Sequence, residues 1–344
     1  MNNKNALFSS LILSSFLVAC GGGGNDNNSP TVDTGVAGEA SGTTASGGVG
    51  GGSSDISTGG SSNSTPLKIT SSNAKDVAGF ATSSLDFGFN ASKVSSLATT
   101  GRGLSTSRQI TRAKLSFPCS AGGTMSFDAG DGDDQLEVGD FFQLNFNNCA
   151  EPETDEGTGK SYIETTNGST RFDITQIASQ NDLTYNISMD TTYSTDNGHS
   201  GSSKGGGTIS FKLNGNGGQQ INARYKIAST FDGKNLDLNP LTFSLTQTGN
   251  QYSYDYNATM SGSAINGTLT MATNPAFTGT MSEDDDDLSY PTAGKLTIKG
   301  GNSSVILDAD TGNPSTVQIT TDENGAVTSE TIQWSELDNP EPLI

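Results

Sequence analysis

The chain has 344 residues and carries 37 Asp and Glu against 17 Lys and Arg, a formal charge of −20. A surface this acidic repels phosphate backbones and anionic headgroups, which argues against nucleic-acid partners and leaves cations, notably Ca²⁺, and basic protein surfaces. Apolar residues make up 31% and glycines number 44, too thin a mixture for one uniform core, but the glycines concentrate in a leader and leave a foldable remainder.

Residues 1–19 read as a signal peptide: a polar start with Lys4, then an uncharged run from Ala6 to Ala19 that is too short for a stable membrane span. The run closes with Leu17-Val18-Ala19-Cys20, which resembles the lipobox of bacterial lipoproteins. That resemblance implies a diacylglyceryl group on Cys20 and cleavage before it, with further acylation of the new N-terminus by palmitate-type chains. At about 0.8 kcal/mol per buried methylene, several chains make attachment effectively permanent. Gly21, where inner-membrane retention usually needs an aspartate, favours the outer membrane, facing either the periplasm or the medium.

Residues 20–66 are almost entirely Gly, Ser, Thr, Asn and Ala, and cannot bury enough surface to offset chain entropy. They are expected to form a disordered tether with a root-mean-square reach of about 35–40 Å. Residues 67–344 are then the folded part, with Gly198–Gly207 either a long hairpin loop or a join between two lobes.

Leu67–Thr70 reads as a short strand, and Ser71–Asn73 as caps for a helix carrying Ala74, Val77, Ala78, Ala81 and Leu85, with Gly79 inside it. A loose connection with Lys93, Arg102 and Arg108 follows. From Ile110 the period becomes two: Leu115 and Phe117, Met125 and Phe127, Phe142 to Phe146, Phe172 to Ile177, Leu183 to Met189, Ile209 to Leu213, and Ile221 to Ile227. Polar residues fill the alternate positions, the pattern of antiparallel strands with one dry and one wet face. Asn167-Gly168, Asn266-Gly267 and Asn324-Gly325 read as hairpin turns, and Pro240, Pro275 and Pro291 as breaks between strands. The expected fold is all-β, an antiparallel meander of 8–12-residue strands curled into an open barrel or a sandwich, with one short N-terminal helix.

With Cys20 acylated, Cys119 and Cys149 remain as one disulfide pair in an oxidising compartment; free thiols or a metal pair are the alternatives, the latter poorly served with no histidine nearby. Between them lies an acidic loop. Taking Leu136 as the eighth position of a twelve-residue calcium loop sets Asp131, Asp133, Glu137 and Asp140 at positions 3, 5, 9 and 12, with Asp128 one residue before position 1. Ala129 at position 1 and Asp134 in place of the glycine at 6 depart from that pattern, and the competing reading is a solvated acidic turn. The run Glu283–Asp287 lacks the spacing that wraps one ion.

Other motifs dissolve on inspection. Ser72-Asn73-Ala74-Lys75 fits Ser-x-x-Lys without its companion motifs, Gly159-Lys160-Ser161 lacks the first glycine of a phosphate loop, and Gly201-Ser202-Ser203-Lys204-Gly205 lacks the strand and helix of a nucleophile elbow. His199, the single histidine, sits in a glycine-rich stretch where a catalytic base would lack an orienting carboxylate. Tyr252, Tyr254 and Tyr256 share one strand face, as a sugar platform or as sheet packing. No catalytic residue is assigned.

The Cys119–Cys149 region, Asn167-Gly168-Ser169, Tyr290-Pro291-x-x-Gly294-Lys295-Leu296 and Trp334-x-Glu336-Leu337 resemble uncharacterised β-rich lipoproteins of proteobacteria. The resemblance implies a fold and a compartment and no activity. The expectation is an outer-membrane, lipid-anchored, non-enzymatic binding module with an envelope protein or glycan as ligand and Ca²⁺ as its one candidate ion. The alternative is an envelope glycan hydrolase working through paired carboxylates.

Overall fold

The computed structural model describes residues 65–82, 115–130, 137–155, 160–179, 181–214, 218–281 and 289–337. Fifteen strands form one antiparallel sheet: β1 Leu115–Pro118, β2 Gly122–Ala129, β3 Phe141–Asp155, β4 Lys160–Ser179, β5 Asp182–Thr195, β6 Ser200–Leu213, β7 Gln219–Phe231, β8 Lys234–Thr248, β9 Gln251–Gly262, β10 Gly267–Thr273, β11 Phe277–Thr280, β12 Lys295–Gly300, β13 Ser303–Asp308, β14 Thr316–Glu323 and β15 Ala326–Gln333. Each strand pairs with the next, except that β12 follows β10 in the sheet and β11 takes the remaining length of the β9 edge. The meander does not close into a barrel, and β1 and β15 end it.

One face of this sheet is dry. Along β5, Leu183, Tyr185, Ile187, Met189, Thr191, Tyr193 and Thr195 are all buried while their neighbours mostly face water, and β7 and β9 repeat the alternation. Right-handed twist coils so many strands, and an apolar cluster on the inner face runs from Phe172 of β4 to Trp334. Each large apolar side chain removed from water there contributes about 1.5–3 kcal/mol.

The helix expected near the N-terminus, α1, spans 74–82 and buries Ala74, Val77, Ala78 and Ala81, an i, i+3, i+4, i+7 stripe, in that same cluster. Its first bond runs from the Val77 N–H to the Asn73 carbonyl at 2.9 Å, and Gly79 does not interrupt it. Leu85 lies outside the described residues. Leu67–Thr70 is not a strand: Pro66, just before it, makes an isolated parallel bridge to Thr268, and the Leu67 N–H donates to the Thr268 carbonyl at 3.0 Å. β12 covers β10 only from Thr270 onward, so little edge is left for it to pair with. The chain passes there because Gly300 has no side chain; a Cβ would lie 2.0 Å from the Leu67 oxygen.

Four further expectations change. Strands β3 to β8 run 13 to 20 residues rather than 8–12. Asn167-Gly168 is no turn but lies within β4, where the register slips against Phe146 and Cys149, and the Asn167 side chain accepts the Asn148 N–H at 2.8 Å. A bulge needs the same positive-φ tolerance as a turn, so the dipeptide alone does not separate them. Pro240 sits inside β8, at the slip between Leu238 and Leu241 where a missing N–H breaks no ladder bond. Gly198–Gly207 closes a short turn and then runs into β6, paired with β5 and β7 throughout, rather than forming a long loop. Asn324-Gly325 is the expected two-residue hairpin, with φ of 55° and 92°.

Candidate functional site

The end of the inner face formed by β4 to β7 differs from the rest, because the apolar rows give way to polar ones. Thr191, Ser203 and Ser229 form a buried row of hydroxyls, with the two serine oxygens 3.1 Å apart. The next row is Thr166, Tyr193, Gly201 and Phe231, and the last brings Glu164 opposite Thr195. Glu164 is 4% exposed, a buried carboxyl group close enough to Tyr193 to act on its hydroxyl. Tyr162, Tyr193 and Phe231 pack together as a cluster separate from the main core.

Gly201 is what lets this row close. A Cβ there would lie 2.5 Å from the Tyr193 hydroxyl, so the tyrosine leans across β6 into the space a side chain would fill. The turn at the rim is built by short-range bonds: the Thr195 N–H donates to the His199 carbonyl at 2.8 Å, and the His199 N–H donates to the Thr195 hydroxyl at 2.9 Å. They fix His199, whose Nδ1 lies 2.7 Å from an Asp232 carboxylate oxygen and whose ring stacks on Phe231 at 5.7 Å. Asp232 comes from the β7–β8 turn, where it and Gly233 have φ of 46° and 77°, and its second oxygen accepts the Ser200 N–H at 3.1 Å.

This corrects the reading of His199 as a residue without an orienting carboxylate. The missed signal was Asp232-Gly233, a hairpin dipeptide between two alternating runs. Only the pairing of β6 with β7 reveals that this turn lands beside residue 199.

The Tyr193 hydroxyl is buried and has no hydrogen-bond partner. Burial raises its pKa far above that of a free phenol, and the nearby charges of Asp232 and Glu164 and the Tyr162 hydroxyl raise it further. Tyr185 also has an unpartnered hydroxyl, but burial alone accounts for its pKa of about 12, with no carboxylate contributing. Tyr193 is thus the orphaned hydroxyl that faces acidic groups. Two more carboxylates reach this end from β3, Glu151 opposite Glu164 and Glu153 opposite Tyr162. Burial, and then Glu151, hold the Glu153 carboxyl above the ordinary range.

The residues singled out from sequence fall elsewhere. Cys119 and Cys149 are joined by a disulfide with Cα atoms 5.4 Å apart, which staples the β1–β2 turn to β3. Among the described residues, these two cysteines and Glu151 are the one group of three at ligand distance, and the disulfide occupies both sulfurs. Of the acidic loop, Asp131 and Asp133 lie outside the described residues. Asp128 ends on β2, and Asp140 accepts the Glu137 N–H at 2.7 Å and so closes the turn before β3. Cys20, the leader, the Lys93–Arg108 connection and Glu283–Asp287 are likewise outside the described residues. Lys75 pairs with Glu336 at 2.6 Å, and Ser203 is buried against Ser229, so neither serine motif presents a nucleophile. Tyr252, Tyr254 and Tyr256 are buried packing residues, and Tyr252 donates to the Ser289 carbonyl at 2.5 Å.

Comparison with protein-family models, curated proteins and solved structures finds no match. The functional reading therefore stands on the rim itself.

Proposed function

We propose that this chain is a lipoprotein held at the outer membrane through Cys20 and acting as a non-enzymatic binding module of the cell envelope, with the His199–Asp232 rim as its ligand site. The observation that carries it is the orphaned Tyr193 hydroxyl beside carboxylates, whereas the unpartnered Tyr185 hydroxyl is raised by burial alone. A buried polar group left unmatched costs roughly 1–3 kcal/mol, a cost that a ligand would remove. The histidine is oriented by Asp232, but the Thr195 hydroxyl that accepts its N–H is already engaged with Asn197, which favours binding over nucleophilic chemistry. Membership among β-rich proteobacterial lipoproteins and Ca²⁺ binding by the acidic loop belong to the same proposal.

His199 is the single histidine, so its ring resonances report on the rim without ambiguity. Soluble envelope fractions, separated into glycan fragments and peptides, should shift those resonances in a saturable way; if no fraction does, the rim is not the ligand site. One observation favours the second reading, a glycan hydrolase: Glu153 is held protonated more readily than usual, beside Glu151 and opposite the strand of Glu164. Turnover of glycan fragments that is lost in Glu153→Gln would establish it.

A further inference from the structure

We propose that β15 is a docking edge for a second copy of this chain, two β15 strands pairing antiparallel about a twofold axis at Ser329 so that two sheets become one. This surface is separate from the rim, and the proposal does not rest on the rim being a ligand site.

The two ends of the meander are built differently. β1 is four residues long and ends in Pro118, and a short strand with a proline is how native sheets blunt an edge. β15 is eight residues long, pairs with β14 without a register shift, and carries the β-branched Val327, Thr328, Thr331 and Ile332 but no proline or lysine. All of its residues are exposed except the half-buried Ile332, and among the described residues no strand pairs with its outer side. The Asn324-Gly325 turn closes on Glu323 and Ala326, and beyond the strand the Trp334 N–H donates to the Ser315 carbonyl at 3.0 Å, so the even-numbered residues bond toward β14. Val327, Ser329 and Thr331 therefore point their N–H and carbonyl groups outward, as half of a ladder.

Register and charge decide what completes it. A twofold axis perpendicular to the sheet keeps each face on its own side, so odd residues meet odd ones, as the outward N–H and carbonyl groups also require. Two centres pair seven residues of the strand, Ser329 over 326–332 and Glu330 over 327–333, and any other pairs fewer. Centring on Glu330 sets that carboxylate against its own copy in a close pair, which like charge disfavours. Centring on Ser329 sets Glu330 opposite the hydroxyl of Thr328 in the second copy, Val327 opposite Thr331, and Ala326 opposite Ile332. The strand is thus complementary to itself in one register. Carboxylates beside the edge are already matched, Glu323 by Lys68 at 3.0 Å and Glu336 by Lys75 at 2.6 Å. The net charge of −20 repels a second copy at long range, and salt at physiological strength screens it over about 8 Å. Each copy offers one such long edge, so pairing closes at two and does not grow into a filament.

The experiment places single cysteines in the full chain, oxidises it mildly in detergent and reads covalent dimer on a non-reducing gel. Opposed residues of a hydrogen-bonded pair lie about 5.5 Å apart at Cα, within disulfide range, so Ser329→Cys should link to its own copy. Val327→Cys and Thr331→Cys should each link poorly alone and efficiently when the two variants are mixed. Ser329→Pro removes an N–H that faces away from β14, so it should abolish the dimer in sedimentation while the melting midpoint stays within a few degrees. Raising sodium chloride from about 50 to about 500 mM should increase the dimer by screening. A chain that sediments as a monomer at every concentration tested overturns the proposal, and so does equal linking at positions 327, 329 and 331, the mark of random collision. Stronger self-linking by Glu330→Cys than by Ser329→Cys would overturn the twofold at Ser329. A different polypeptide linked to Ser329→Cys in cell membranes, with no covalent dimer, would put a foreign strand at this edge and overturn the second copy.

Discussion

Glu153 shows how a single side chain at this rim is pulled between stability and chemistry. Its carboxyl is raised by burial and by Glu151, so the folded chain binds that proton more tightly than the unfolded chain does. Its contribution is therefore fully present below the ordinary value of 4.5 and is lost as the pH rises through the raised folded value. Glu153→Gln should melt higher than the parent at neutral pH, and the difference should vanish as the pH falls below 4.5. Melting curves recorded across that range test the sign; a variant less stable at neutral pH would show that the carboxylate has a stabilising partner. Gly300 makes a purely steric case. Gly300→Ala places a methyl group 2.0 Å from the Leu67 oxygen, where the obstruction is backbone and cannot rotate away. A loss of roughly 1–3 kcal/mol is expected in urea denaturation, and an unchanged midpoint would mean that the passage beside β12 is looser than it looks.

At the scale of elements, the β2–β3 hairpin carries the disulfide at one end and the proposed Ca²⁺ loop at the other. The disulfide joins the turn before β2 to Cys149, while the acidic loop follows Ala129, and the eight residues of β2 separate them by roughly 20–25 Å. Closing the segment between two cysteines 30 residues apart should contribute about 3–4 kcal/mol in the chain-entropy picture, so reduction should lower the melting midpoint by several degrees. Ca²⁺ at a few millimolar, acting on a loop with an affinity of about 10⁻⁴–10⁻³ M, should add on the order of 1–2 kcal/mol. Devices that far apart should act additively. Calorimetry of the oxidised and reduced chain, each with and without Ca²⁺, checks this, and Asp131→Asn with Asp133→Asn should remove the Ca²⁺ response alone. An equal response to any salt would reduce the loop to a screened acidic turn. The contrast between Asn324-Gly325 and Asn167-Gly168 belongs here too. Both dipeptides accept positive φ, but the first ends one strand and begins the next, whereas the second is held inside β4 by long partners on either side.

For the whole molecule, the proposed lipid anchor at Cys20 is the feature on which the proposed function would depend. Cys20→Ser should release the chain from membranes, read by fractionation after a high-salt wash; a variant that still sediments with membranes would mean that lipid is not the anchor. Much of the architecture was legible beforehand because it is local. Period-two alternation from Leu115 to Ile227 marks strands whatever their partners, the Ala74 to Ala81 spacing marks a helix, and Cys119 and Cys149 formed one pair once Cys20 was set aside. Strand length was underestimated because β4 and β6 continue through Thr-, Ser- and Gly-rich sequence, held there by neighbouring ladders rather than by their own apolar side chains. The rim was invisible for a related reason. Glu164, Tyr193, His199 and Asp232 are spread over 69 positions of chain and approach only because β4, β5, β6 and β7 pair in one register. The sequence alone therefore determined periodicity and charge, which need no tertiary contact to be read. Which carboxylates and which hydroxyl share a face was decided by the tertiary structure, since a shift of one residue in any of those pairings would send them to opposite sides of the sheet.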